Sequence, residues 1–238
     1  MGSTYFYMEF LIAWMTLLQK VGYQNPVVLS VEYSLVPDQH YPRQLFEARA
    51  AYDYAIDLTS NDPSLICVAG DSAGATIVLS LLLDLSRGTK NAKNMPAYCV
   101  MISPWPTLIS LKNRNTDSDY LDANSLHKYA RQYLQDVRLE ADPLASPGCC
   151  KDPSKWMHAS PSQGWLFMYG SEEVLAPETE DLIYLLLAAG EHVTVNEEYG
   201  DIHAWPVAAL FLAESRHERL KLLAKIVNTT RKRMGVKC

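Results

Sequence analysis

The sequence predicts a doubly wound, mostly parallel α/β sheet formed by one domain, residues 1–238. Apolar runs of strand length alternate with helical patterns along most of the chain, which is typical of parallel sheets covered by helices on both faces. The composition agrees with a globular protein, since 48% of the residues are hydrophobic and 20% are charged. The net charge of −6 gives no electrostatic reason to expect a nucleic-acid partner.

Strands are predicted where β-branched or alternating apolar residues lie between turn residues. These runs are NPVVLSVEY (25–33), SLICVAG (64–70), PAYCVMISPW (96–105), GWLFMYG (164–170) and HVTVNEEY (192–199). The last run alternates as an edge strand does. Helices are predicted where apolar residues recur at spacings of three and four, over 5–18, 41–58, 75–86, 123–136, 177–190 and about 204–227.

Between residues 107 and 160 the alternation gives way to polar sequence interrupted by prolines. A helical pattern, ANSLHKYARQYLQD, is the one regular piece of this stretch. We therefore expect 107–160 to be an insertion within the domain that forms a lid or cap.

The apolar run at 5–18 contains Glu9 and is about 14 residues long, short of the roughly 20 that a membrane span needs. It is predicted to be a buried amphipathic helix. With no membrane span and no visible signal peptide, we expect a cytoplasmic protein. The five cysteines are an odd number without C-x-x-C spacing, which favours reduced thiols over disulfides or a zinc site.

The pentapeptide GDSAG, residues 70–74, fits the G-x-S-x-G pattern of a nucleophile elbow. Small residues at both ends let the backbone turn sharply enough to present the serine hydroxyl. A predicted strand precedes Ser72 and a predicted helix follows it, as the pattern requires. Because a serine hydroxyl is a poor nucleophile alone, a histidine base and an orienting acid are expected later in the chain.

His203 is the preferred base, because it lies in a short loop between the last predicted strand and the final helix. The other histidines are predicted to be structural or exposed: His40, His127, His158, His192 and His217. The acid should follow the strand GWLFMYG, where Glu172 and Glu173 are equally good candidates. Asp201 is a third candidate, although its nearness to His203 favours a role in the turn.

Five segments together resemble the hormone-sensitive-lipase-like family of α/β-hydrolase esterases, and in particular its fungal steryl-acetyl-hydrolase and secondary-metabolite esterase branches. They are GDSAG, VEYSLVPDQHYPRQLFEA, ISPW, YGSEEVLAPE and GDIHAW, and the resemblance extends from Gly2 to about Phe211. It implies that Ser72 is the nucleophile and His203 the base. The family's acid lies three residues after the glycine that ends the strand, which selects Glu173.

The resemblance implies hydrolysis of a carboxylic ester without metal or organic cofactor. The expected substrate is a small hydrophobic ester, with a short acyl or acetyl group on a hydrophobic alcohol, in lipid or secondary metabolism. The same triad could also cleave an amide, as in an amidase or formamidase. Candidate substrate contacts are Asp71, Trp105 and Trp205, and core packing is an equally good interpretation of each tryptophan.

The sequence departs from the family at its start. The family carries a His-Gly-Gly loop shortly before a Gly-Ser pair, and that loop supplies most oxyanion-hole donors. Here MGST stands where the loop would have just ended, so we expect a truncated sheet that lacks its N-terminal strands. The remaining expected donor is the N–H of Ala73. Activity should therefore be low, and the alternative is a non-catalytic remnant.

Overall fold

The computed structural model describes residues 4–88 and 94–235. Its sheet has four parallel strands in the order β1-β2-β3-β4, which are Cys67–Asp71, Tyr98–Ile102, Trp165–Gly170 and Val193–Glu198. The helices are α1 (Thr4–Lys20), α2 (Arg43–Leu58), α3 (Ser72–Ser86), α4 (Ala123–Leu134), α5 (Pro153–Ala159), α6 (Ala176–Ala188), α7 (Trp205–Leu212) and α8 (Arg216–Met234). The predicted parallel α/β sheet is confirmed.

Helices cover both faces of the sheet. Because side chains alternate along a strand, Cys99 and Met101 of β2 face a core formed with α2, α3, α5 and α6. Tyr98, Val100 and Ile102 face the opposite core, formed with α1, α7 and α8. All five residues of β2 are buried. The near-continuous apolar character of the interior strands therefore reflects burial on two sides, as in a doubly wound sheet.

The predicted strand at 25–33 is wrong, because these residues are not in a strand. A segment with high strand propensity forms a strand only when a neighbouring strand completes its hydrogen-bond ladder. Within the described chain this run has no such neighbouring strand. Val27 is 81% exposed. Just beyond the run, the Ser34 N–H and hydroxyl each donate to the Glu47 carboxylate at 2.7 Å, which ties the segment to α2.

The predicted final helix is two helices. α7 ends at Leu212 and α8 begins at Arg216, with Ser215 as its N-cap. The Ser215 hydroxyl accepts from the Glu218 N–H, and the Glu218 carboxylate accepts from the Ser215 N–H, so both arms of a capping box are present. This reciprocal pair satisfies two backbone donors that a helix start leaves free, which is why the chain restarts here.

The insertion at 107–160 consists of α4, α5, short 3₁₀ turns and irregular segments. Its start is tied to α6, because the buried Glu178 carboxylate accepts from the hydroxyls of Thr107, at 2.5 Å, and of Ser110. Its end is part of the core, since Trp156 of α5 is fully buried and packs edge-on against Trp165 with ring centroids 6.3 Å apart. A lid function for the insertion stays a prediction.

No helix among the described residues is both long and apolar enough to cross a membrane. The predicted N-terminal helix is α1, which packs Phe10 and Trp14 into the core beside α8. The four described cysteines, Cys67, Cys99, Cys149 and Cys150, are free thiols. Cys238 lies outside the described residues.

Candidate active site

Ser72 lies at the sharp turn between β1 and α3. β1 ends at Asp71, α3 begins at Ser72, and Ser72 has a left-handed backbone with φ +51°. A Cβ on Gly70 would lie 2.7 Å from the Ala75 nitrogen, so the chain can close this turn only with glycine there. The strand and helix that the G-x-S-x-G pattern predicts around Ser72 are therefore present.

The backbone at the start of α3 offers hydrogen-bond donors. The first N–H groups of a helix have no partner within the helix, and the helix dipole favours negative charge beside them. Ala73, in this first turn, is exposed. A role of its N–H as an oxyanion donor stays a prediction.

Glu173 and His203 form a buried pair. The Nδ1 atom of His203 lies 3.1 Å from Oε2 of Glu173, and the two side chains are only 4% and 1% exposed. With Glu173 ionised we assign the proton to Nδ1, since a carboxylate can only accept. Nε2 is then free to accept a proton from another group.

The second oxygen of Glu173 fixes the position of the carboxylate. Oε1 accepts from the Ser103 hydroxyl and from the Gly170 N–H, each at 2.6 Å. A Cβ on Gly170 would lie 1.9 Å from the carbonyl oxygen of Asp201. Glycine is therefore required where β3 approaches the histidine loop, residues 199–204 between β4 and α7. Three donors therefore hold one buried carboxylate in a single orientation.

Ser103 connects the acid to the histidine loop. Its hydroxyl donates to Glu173 and accepts from the Ala204 N–H at 2.9 Å. Ser103 and Ala204 both have left-handed backbones, with φ +45° and +54°. No sequence pattern indicated a role for Ser103, although it lies in the ISPW segment after β2. Its position at the carboxyl end of a parallel strand is the signal that could have found it.

Within the described residues, no hydrogen bond joins the Ser72 hydroxyl to the His203 ring. The Trp105 N–H donates to the Ser72 carbonyl at 3.2 Å, which fixes the serine backbone against the loop after β2. Contacts between nucleophile and base often tighten only when substrate binds. The structure therefore brings Glu173 and His203 together and places Ser72 at the carboxyl edge of the same sheet.

The other predicted acids lie outside the Glu173–His203 contact. Glu172 is half-buried, and its carbonyl accepts from the Thr116 hydroxyl at 2.6 Å. Asp201 is half-buried too, and desolvation followed by the nearby charge of Glu198 raises its pKa. No described hydrogen bond links either side chain to His203.

The remaining histidines either form hydrogen bonds with backbone carbonyls or lie in other elements than the loop of His203. His40 contacts the Gln132 carbonyl at 2.8 Å, His127 the Ser110 carbonyl at 3.0 Å and His158 the Ser154 carbonyl at 2.6 Å. His192 precedes β4, and His217 lies in the first turn of α8. Among the described residues no group of three or more His, Cys, Asp or Glu side chains is arranged to hold a metal ion.

The three candidate substrate contacts differ in their surroundings. Asp71 borders the serine turn, accepts from the Tyr7 hydroxyl at 2.6 Å, and has its pKa raised by burial. Trp105 is buried with the apolar residues of the insertion. Trp205 is half-buried and packs against the core under α8, beside Leu222. Substrate contact stays a prediction for each of them.

Known proteins share this architecture. An acetyl-hydrolase of Streptomyces hygroscopicus is 32% identical over 75% of this chain and 57% of its own length. A Schizosaccharomyces pombe protein named as a steryl acetyl hydrolase is 30% identical over 80% of this chain and 51% of its own length. The crystal structure of an esterase from the bacterial hormone-sensitive lipase family superimposes with a TM-score of 0.82 at 24% identity, over 99% of this chain and 73% of that chain.

The chain thus spans little more than half the length of these two curated relatives. A family model described as "alpha/beta hydrolase fold" matches residues 3–207, which is most of the sequence. The resemblance that the motifs predict is confirmed: the chain belongs to the alpha/beta hydrolase fold family.

Proposed function

We propose that this chain is a serine esterase that hydrolyses carboxylic esters through an acyl-enzyme formed on Ser72. The observation that carries the proposal is the buried contact between Glu173 and His203. A carboxylate that fixes an imidazole in one tautomer is the arrangement that activates a serine hydroxyl in acyl transfer. The turn that presents Ser72 lies at the same sheet edge and supplies the nucleophile.

The steps follow from these positions. The hydroxyl oxygen of Ser72 attacks the ester carbonyl carbon while Nε2 of His203 takes the hydroxyl proton. The Glu173 carboxylate stabilises the imidazolium that forms. His203 then gives the proton to the leaving alcohol oxygen, which releases the alcohol and leaves the acyl group on Ser72. Water attacks the acyl-enzyme with His203 again as base, which releases the acid and restores the serine.

The tetrahedral intermediate carries a negative oxygen, and in this proposal the Ala73 N–H donates to it. Loss of one oxyanion donor lowers turnover by roughly 100- to 1,000-fold in enzymes of this type.

The substrate class rests on the relatives' names. Two relatives that match most of this chain are named for acetyl hydrolysis, and one of these names specifies a steryl ester. We therefore propose an acetyl or other short-acyl ester of a hydrophobic alcohol. A role in lipid or secondary metabolism agrees with such a substrate.

A fluorophosphonate probe tests the nucleophile. Wild type and the control Ser86→Ala should be labelled, because Ser86 lies at the far end of α3, whereas Ser72→Ala should not. A folded wild-type chain that resists labelling would refute the proposal and favour the non-catalytic remnant. Cleavage of p-nitrophenyl acetate but not of p-nitroacetanilide separates an esterase from an amidase. Preference for octanoate over acetate would contradict the short-acyl assignment.

A further inference from the structure

A five-residue stretch of the insertion contacts both loops that carry the acid and the base. We call residues 116–120 the clamp segment. It lies far from both loops in sequence, with Asp119 separated from His203 by 84 positions. Its side chains nonetheless reach the loop after β3 and the loop after β4. No sequence pattern indicates a role for the clamp segment, because it belongs to neither a regular element nor a known motif.

Asp119 makes the central contacts. Its side chain is buried, with the residue only 8% exposed. Oδ2 accepts from the Val174 N–H at 2.8 Å, in the loop of the acid. Oδ1 accepts from the His203 N–H at 3.4 Å, and from the Leu121 N–H at the same distance. One carboxylate thus receives a backbone donor from each loop.

The neighbours of Asp119 complete the clamp segment. The Thr116 hydroxyl donates to the Glu172 carbonyl at 2.6 Å and accepts from the Asp119 N–H at 3.2 Å. The Tyr120 hydroxyl donates to the His203 carbonyl at 3.2 Å, and its ring meets the His203 ring edge-on at 5.9 Å. Both backbone polar groups of His203 are therefore bonded to this segment.

The chemistry of Asp119 fits its place between two loops. A buried carboxylate is costly unless its oxygens are hydrogen-bonded, and here backbone N–H groups supply the partners. The two loops each present a donor, so both oxygens at this position must accept. An asparagine has only one accepting atom and would turn its NH₂ group towards one of the donors.

We propose that Asp119 is a positioning residue that sets the Glu173–His203 hydrogen bond by holding the two loops at a fixed separation. The kinetic part of this inference rests on the proposed esterase function. The hydrogen-bond part does not, because the Glu173–His203 contact exists without substrate.

The test compares Asp119→Asn with Asp117→Asn, an exposed neighbour two residues away. In the wild type, the His203 Nδ1 proton should give a proton NMR signal downfield of the amide region that is missing from His203→Ala. This signal should be lost or broadened in Asp119→Asn and kept in Asp117→Asn. The kcat for p-nitrophenyl acetate should fall about 10- to 100-fold in Asp119→Asn with KM within about twofold, since small displacements of reacting groups have effects of this size.

Two outcomes would overturn the proposal. One is an unchanged proton signal and kcat in Asp119→Asn, even with a lower melting temperature, which would make Asp119 structural only. The other is an equal effect of Asp117→Asn. Should Asp119→Asn fail to fold, Tyr120→Phe takes its place. It removes only the hydroxyl bonded to the His203 carbonyl. It should lower kcat about threefold and shift the His203 proton signal. No change in either would refute the positioning role of the clamp segment.

If the wild type hydrolyses no ester but the His203 proton signal is lost in Asp119→Asn and kept in Asp117→Asn, the positioning role stands and the esterase proposal falls. If the wild type is active and Asp119→Asn matches it in kcat, KM and signal, the positioning role falls alone. The two proposals therefore fail separately.

Discussion

Replacing Glu173 by glutamine tests the proposed triad without removing bulk. Oε1 of Glu173 receives two donors, the Ser103 hydroxyl and the Gly170 N–H. In Glu173→Gln the amide oxygen must take this position, because the NH₂ group cannot accept from either donor. The NH₂ group then faces Nδ1 of His203, 3.1 Å away in the wild type. Nδ1 must become the acceptor, and the ring proton moves to Nε2.

The expected loss is large because a ring protonated on Nε2 cannot take the proton of Ser72. In Ser-His-Asp enzymes the matching acid-to-amide change lowers kcat about 10⁴-fold through the wrong tautomer. At 1.36 kcal/mol per tenfold change, this corresponds to about 5 kcal/mol of transition-state stabilisation. Folding should change little, by about 1 kcal/mol or less, since each buried polar atom in the variant keeps a partner.

The assay is p-nitrophenyl acetate hydrolysis with the melting temperature measured alongside. Glu172→Gln is the matched control, because it makes the same chemical change one residue away on a half-buried side chain. We expect Glu172→Gln to keep at least half of the activity. Near-normal hydrolysis by Glu173→Gln, or a large loss in Glu172→Gln alone, would refute the reasoning.

Two further predictions concern stability. Burial raises the pKa of Asp71 in the folded chain, so the folded state holds the extra proton between the unfolded and folded pKa values, and stability falls as pH rises through that window. The variant Asp71→Asn cannot titrate here, and its amide oxygen can still accept from the Tyr7 hydroxyl. It should therefore have a higher melting temperature than the wild type at about pH 7 but not at about pH 3, which is below the ordinary aspartate pKa. A lower melting temperature at neutral pH would contradict this. Ser215→Ala removes the α8 cap and should cost about 1 kcal/mol, seen as a fall of about 2–4 °C in melting temperature with ester hydrolysis unchanged. An unshifted melting curve would show that Glu218 and water replace the cap.

Residues that form local patterns were predictable from sequence. Four of the five predicted strands are present. The continuous apolar runs correspond to β2 and β3, which are buried throughout, and the alternating run corresponds to β4 at the edge of the sheet. The fifth depended on a neighbour that no local pattern specifies. The break before α8 was visible in the Ser215-x-x-Glu218 spacing, but continuous helical periodicity on both sides masked it.

The site was predictable where a motif or a sheet edge marks it. The GDSAG pattern marks Ser72, and the loops after β3 and β4 limit the acid and base to a few residues. Choosing between Glu172 and Glu173 depended on the family resemblance, since neighbouring loop residues have no periodicity. Ser103 and Asp119 make tertiary contacts that cross 55 or more positions, and nothing local in the sequence encodes such contacts.

Ser72, Ser103 and Ala204 all adopt the left-handed backbone conformation without being glycine. Each such residue typically costs about 1–3 kcal/mol, against a net stability of about 5–15 kcal/mol for a whole domain. A sizeable part of the folding free energy is thus committed to three small residues at one sheet edge. Substitutions that loosen the distant cores should therefore relax these turns first, and changes remote from the site should reduce function before they unfold the chain.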